Sequence, residues 1–220
     1  NAARASNYLN DSTPLRTRFG VTGLITDRFG ALLAAGYGAT FFQNPEAVST
    51  RQYDSFNGQA EGTYYLSQGA GADEPGKATL LLSTISLGVS RDFQTSLLAN
   101  FYNSNRAYGR IEYWFGGKMV LRFDAYGEQL NYPAAFFTPP APGVPPLQAT
   151  NDFTNYRFGL GLFAEYRFTS SFGLNSTIDY VQQFSETQLP AGQIPGTVQS
   201  GVFDLNYRRF QAFLGARYFF

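Results

Sequence analysis

Eleven ionisable residues recur at alternate positions within largely uncharged stretches of this chain: Arg110, Glu112, Arg122, Asp124, Glu128, Arg157, Glu165, Arg167, Asp179, Arg209 and Arg217. Two-residue spacing puts side chains on one face of a β-strand. Asp124 and Glu128, two alternations apart, are the pair that could do acid–base work. Two acids on a wet strand face read far better as solvated wall residues. The chain has no His and no Cys, which removes the commonest general base, the commonest metal ligand and every thiolate site. No enzyme, no cofactor and no metal site is expected. What remains is a polar wall of six basic and five acidic groups. Such a wall either keeps an aqueous passage open or fills a closed interior with ion pairs, and a near-equal count of signs fits both. A selective ion pore would show one dominant sign.

The elements that must carry these groups are strands. From Val202 to Phe220 the alternate set Phe210, Ala212, Leu214, Ala216, Tyr218 and Phe220 is wholly apolar, while the other register holds Arg209, Gln211 and Arg217. The same two-faced pattern returns along the chain. Phe158, Leu160, Leu162, Ala164 and Tyr166 alternate with Arg157, Gly159, Gly161, Phe163, Glu165 and Arg167. Phe56, Gly58, Ala60, Gly62, Tyr64 and Leu66 alternate with Asn57, Gln59, Glu61, Thr63 and Tyr65. Ile111, Tyr113 and Phe115, then Met119, Leu121, Phe123 and Ala125, flank Gly116-Gly117, a hairpin signature. Nine strands are predicted, at about 15–26, 29–42, 53–66, 78–90, 106–116, 118–131, 153–168, 172–184 and 203–220.

Composition narrows the class. Of 220 residues, 17% are aromatic, with 22 Phe and 15 Tyr, and only 15% are charged, against roughly 25% in soluble domains. Mean hydropathy is nevertheless slightly negative. That combination suits a transmembrane barrel, in which only alternate residues meet lipid. No run of 18 apolar residues exists, so a spanning helix is excluded. Net charge is zero, with nothing to suggest nucleic acid. Tyr113, Tyr166, Tyr180 and Tyr218 fall in the lipid register as an interfacial girdle, while Tyr65, Trp114, Tyr126 and Phe163 point inward. The inward rings read as fillers rather than as stacking platforms for sugars.

Connections sort by length. Short turns fall near Asp27, Gly116 and Ser170; long polar loops fall at 43–52, 132–151 and 183–201. The loop 132–151 carries six prolines and is expected to form neither strand nor helix. Reading 91–104 as a further loop puts every short turn on one side and every long loop on the other, as outer-membrane barrels do. The expected fold is therefore all-β, an antiparallel transmembrane β-barrel of about 9–10 strands over residues 15–220, with residues 1–14 as a loop or lead-in. An odd count of nine leaves two accounts: a poor tenth strand within 1–14, or membership of a larger barrel. The second is favoured, and it predicts that 15–26 and 203–220 do not pair with each other.

The terminal aromatic strand resembles the closing strand of bacterial outer-membrane β-barrels. The runs YDSFNGQAEGTYYLS (53–67), LGVSRDFQTSLLANFYNSNRAYGRIEY (87–113) and FAEYRFTSSFG (163–173) resemble the β-barrel porins of bacterial exopolysaccharide systems. The shared features are Arg91-Asp92, then Asn100 to Tyr102, then Asn105-Arg106 opening the next strand, and the likeness covers roughly residues 20 to 185. The Pro-rich loop lies outside the pattern. The resemblance implies an outer-membrane location and a conduit for a secreted polysaccharide or small polar solutes, with membrane lipid and polysaccharide or other protein subunits as partners. The alternative is a non-conducting docking barrel with a filled lumen.

Overall fold

The computed structural model describes residues 12–42, 54–68, 81–96, 101–116, 118–133, 136–137, 147–148, 152–190 and 202–218. In chain order the strands are β1 (Ser12–Thr26), β2 (Phe29–Phe42), β3 (Asp54–Gln68), β4 (Leu81–Thr95), β5 (Phe101–Phe115), β6 (Met119–Tyr132), β7 (Phe136–Phe137), β8 (Leu147–Gln148), β9 (Phe153–Arg167), β10 (Phe172–Ser185), β11 (Gln188–Pro190), β12 (Val202–Asp204) and β13 (Tyr207–Tyr218). No helix occurs among the described residues. Nine long strands form one antiparallel sheet in the order β1-β2-β3-β4-β5-β6-β9-β10-β13, each paired with its neighbour along the chain. No ladder joins β1 to β13 among the described residues, so these two strands are the edges.

Local chemistry explains the hairpins. Gly116 takes φ +53°, and Lys118 N–H donates to Phe115 O at 3.1 Å, closing the turn between β5 and β6. Thr26 Oγ1 accepts from Arg28 N–H at 3.4 Å in the β1–β2 turn. Between β9 and β10, Phe168 N–H donates to Phe172 O at 3.0 Å. Pro14 lies inside β1, where it would break an interior strand; at an edge its missing N–H faces no partner.

Register divides the sheet into two faces. One row of opposed residues reads Val21, Leu33, Ala60, Val89, Ala107, Gly127 and Phe158; a row on the other face includes Arg18, Gly36 and Asn57. Within the nine long strands, all charged side chains of the described residues fall on the second, polar face except Asp54, Arg91 and Arg208. Those three lie toward the same end of the sheet, where the long connections run. Large apolar side chains of the first face stand exposed, among them Phe19 (81%), Leu162 (43%) and Leu214 (90%). Buried positions include Thr40, Asn57, Ser86, Ser104, Asn155, Glu165 and Gln183. The sheet bends toward its polar face, since Arg18 of β1 meets Asp92 of β4 there at 3.4 Å, although three strand spacings of a flat sheet amount to about 14 Å.

Several expectations change in detail. The segment 91–104 is not one loop: β4 continues to Thr95 and β5 begins at Phe101. Phe93 and Phe101 bury together there, and ladder hydrogen bonds extend the hairpin past the apolar alternation. The Pro-rich loop does form strand, the two-residue ladder Phe136–Phe137 with Leu147–Gln148, whose four members are themselves not proline and keep their backbone N–H groups. The closing stretch divides into β12 and β13 at Leu205 and Asn206. Asn206 makes the joint by donating from Nδ2 to Ser185 O at 3.1 Å and accepting from Ser185 N–H at 2.7 Å. A bulge between Leu24 and Thr26 leaves Ile25 without a partner in the ladder with β2. β1 starts at Ser12, and residues 1–11, 43–53, 69–80, 191–201 and 219–220 lie outside the described residues.

Candidate functional site

The polar face is the candidate site, and its geometry begins with glycine. Tyr108 of β5 opposes Gly88 of β4, and Tyr126 of β6 opposes Gly159 of β9. A Cβ at either glycine would run into the tyrosine ring, so both rings lie flat over neighbouring backbone. Laid down in this way, the Tyr108 hydroxyl reaches across β4 to β3, donating to Glu61 Oε2 at 2.6 Å and accepting from Gln59 Nε2 at 2.8 Å. Gly36 does the same service between β1 and β3: it lies between Arg18 and Asn57 in register, and Arg18 Nε donates over it to Asn57 Oδ1 at 3.4 Å.

All eleven residues picked from the sequence share this face, and most gather into three clusters. Asp124 takes Arg110 at 2.5 Å and Arg122 at 3.3 Å. The Arg122 guanidinium lies 5.0 Å over the Phe163 ring. Glu128 takes Arg157 at 3.5 Å and accepts from Ser104 Oγ, and Arg157 also donates to Gln183 Oε1 at 3.0 Å. Glu165, almost fully buried, takes Arg167 at 3.1 Å and Arg217 at 2.9 Å. Glu112 accepts from Trp114 Nε1 at 3.1 Å. Asp179 and Arg209 join no ion pair among the described residues.

Sequence reasoning left five charged residues of this face out of the set. Arg16, Arg18 and Asp92 form an ion-paired group at the loop end of β1 and β4, and Glu61 and Arg106 lie deeper on the wall. Asp92 was missed because 91–104 read as a loop. The alternation Arg106, Tyr108, Arg110 would have found Arg106.

Among the spaces that adjoin the sheet, two bear on the site. A polar pocket of about 430 Å³ on the bent face is lined by Arg18, Glu61, Asp92, Arg106, Tyr108 and Arg110, with Gln59, Ser86 and Ser90. A groove of about 1180 Å³ crosses the apolar face over the small residues Ala35, Gly58, Ala60, Ala107 and Gly127. Above the pocket, at the loop end, Tyr102, Leu130, Tyr132 and Phe153 pack together, with the Tyr132 and Phe153 rings stacked at 4.7 Å. No group of three or more Asp or Glu residues is placed to hold a metal ion among the described residues. Compared with protein-family models, with curated proteins and with solved structures, the chain matches none.

Proposed function

We propose that this chain builds the wall of a bacterial outer-membrane β-barrel whose polar face lines an aqueous channel for polar solutes, a secreted polysaccharide among them. The observation that carries the reading is the inverted partition of side chains: apolar groups face out and charged groups face the bend. In water the exposed face would be an aggregation surface. In a bilayer it is the required one. Its dimensions also fit. On β5 the apolar face runs from Phe115 to Ala107 and turns polar at Asn105, ten residues from Phe115. At about 3.4 Å per residue and a tilt of about 40°, that span is roughly 26 Å along the membrane normal, close to the band of about 25 Å that outer-membrane barrels show. The same row holds Arg91 on β4 and Gln129 on β6. Aromatic residues collect at the turn end, where Tyr113 meets Phe115 at 4.5 Å and Tyr166 meets Phe168 at 4.9 Å.

The ion pairs favour a channel over a filled lumen. Among the described residues they link positions on the same strand, on adjacent strands or at most three strands apart. A plugged narrow barrel needs pairs that cross from one wall to the opposite one. Pairs running along the wall leave the interior to water.

Purified protein in detergent should migrate at different apparent masses before and after boiling, and reconstituted in planar bilayers it should give conductance steps with weak ion selectivity. Solubility without detergent and an ordinary melt would remove the barrel. Silence over many confirmed insertions would remove the channel and leave the docking barrel.

A further inference from the structure

Arg106 is set apart from Arg18 and Arg110, the other arginines of the polar pocket. Its cross-strand partner in register is Glu128, the arrangement that normally makes an ion pair. Glu128 is turned away, held by Arg157 at 3.5 Å and by Ser104. Arg106 is left with no hydrogen-bond acceptor among the described residues, and its Nε is buried without a partner. What holds the guanidinium is aromatic: its centre lies 3.9 Å over the Tyr126 ring and 5.9 Å from the Tyr108 ring. Stacking fixes the plane of a guanidinium while leaving its N–H edge free, the geometry that takes a carboxylate through two parallel hydrogen bonds.

That side chain lines the 430 Å³ pocket, and the other walls describe what would sit there. Arg18 is paired with Asp92, and Arg110 with Asp124, so neither competes for an incoming anion. Ser86, Ser90 and Gln59 offer hydroxyl and amide groups, and Glu61 is an acceptor suited to hydroxyl donors. Glu61 and Asp92 in the same pocket disfavour a doubly charged phosphate more than a singly charged carboxylate.

We infer that this pocket binds the carboxylate of a hydroxylated solute, a uronic-acid-type sugar, with Arg106 as the residue that takes the charge. The inference rests on the polar face being a solute-lined wall and names the class of solute at one point on it.

The test is calorimetric titration of the full chain in detergent with glucuronate, with glucose and inorganic phosphate as comparisons. Glucuronate should bind at least tenfold more tightly than either. Arg106→Gln should abolish that preference. Arg157→Gln, which does not line the pocket, should weaken glucuronate binding by releasing Glu128 to pair with Arg106. Arg208→Gln, a charge change on the opposite face, should leave it unchanged. Equal binding of glucuronate and glucose, tighter binding of phosphate, or full binding by a heat-modifiable Arg106→Gln protein would overturn the inference. Mobility before and after boiling is read on the same samples. Heat-modifiable protein without a glucuronate preference sinks the site and spares the barrel, whereas a preference in protein that needs no detergent sinks the barrel and spares the site.

Discussion

Leu162→Arg and Phe163→Arg place the same charge one residue apart on β9, on opposite faces. Leu162 stands on the apolar face between Phe123 of β6 and Ile178 of β10. It is four residues from Tyr166 at the turn end and six from Tyr156 at the loop end. With about 3.4 Å per residue and a tilt of about 40°, the proposed barrel puts it roughly 10 Å from the lower girdle and 15 Å from the upper, near mid-membrane. An arginine there costs about 2–4 kcal/mol, or roughly 30- to 900-fold in the folding equilibrium. Phe163 faces the wall, where an arginine meets water and the nearby Asp124 carboxylate. Its loss removes the stacking under Arg122, worth about 0.5–1 kcal/mol. Chemical unfolding in lipid vesicles, monitored by Trp114 fluorescence, should therefore separate the two by at least about 1 kcal/mol, with Leu162→Arg the worse. In a water-soluble sheet the order would reverse, because a 43%-exposed Leu162 tolerates arginine to within about 0.5 kcal/mol. Equal costs, or Phe163→Arg the more damaging, would refute the assignment of faces.

Glu165→Gln should destabilise the fold by about 2 kcal/mol in the same unfolding assay, because Arg167 and Arg217 then face each other without their shared anion. Adding Arg217→Gln should recover part of that loss, and a merely additive double variant would show that the pair is not coupled. Gly159→Ala should cost about 1–3 kcal/mol by lifting Tyr126 off the wall, and Tyr126→Ser should rescue it. Since the chain has no native Cys, Val21→Cys on β1 can be combined with cysteine at Ala212, Leu214 or Ala216 on β13 and oxidised. No disulfide should form within one chain, because bridging needs Cα atoms about 4.4–6.8 Å apart, and a high-yield bridge would show that the two edges pair directly.

The strands were legible because the two faces carry different side chains. Wherever one face is apolar and the other polar, the period of two is unmistakable, as in Phe158 to Tyr166. The signal fades at the loop end for the same reason. Around Arg91, Asp92, Asn103 and Asn105 both faces are polar, and only the ladder of β4 with β5 reveals that the strands continue. Irregularities that cost one residue, such as the bulge beside Ile25, were likewise invisible in the pattern. The charged face could be read residue by residue, but pairing could not. Alternation places Arg106 opposite Glu128, yet the carboxylate goes to Arg157, a choice made by side-chain reach and by Ser104.

Two separate features bear on the width of the proposed barrel. Nine strands that alternate in direction leave β1 and β13 running the same way, so antiparallel closure requires at least one more strand between them. Both edges expose both faces: Phe213 and Leu214, neighbours on opposite sides of β13, are 57% and 90% accessible. Among the described residues the ion pairs link strands at most three apart in the sheet, Arg18 of β1 with Asp92 of β4 being the widest. The proposed barrel, closed antiparallel, therefore needs more than these nine strands. In the proposed barrel, Arg106, with no acceptor among the described residues, lines the polar pocket where a passing anion can reach it.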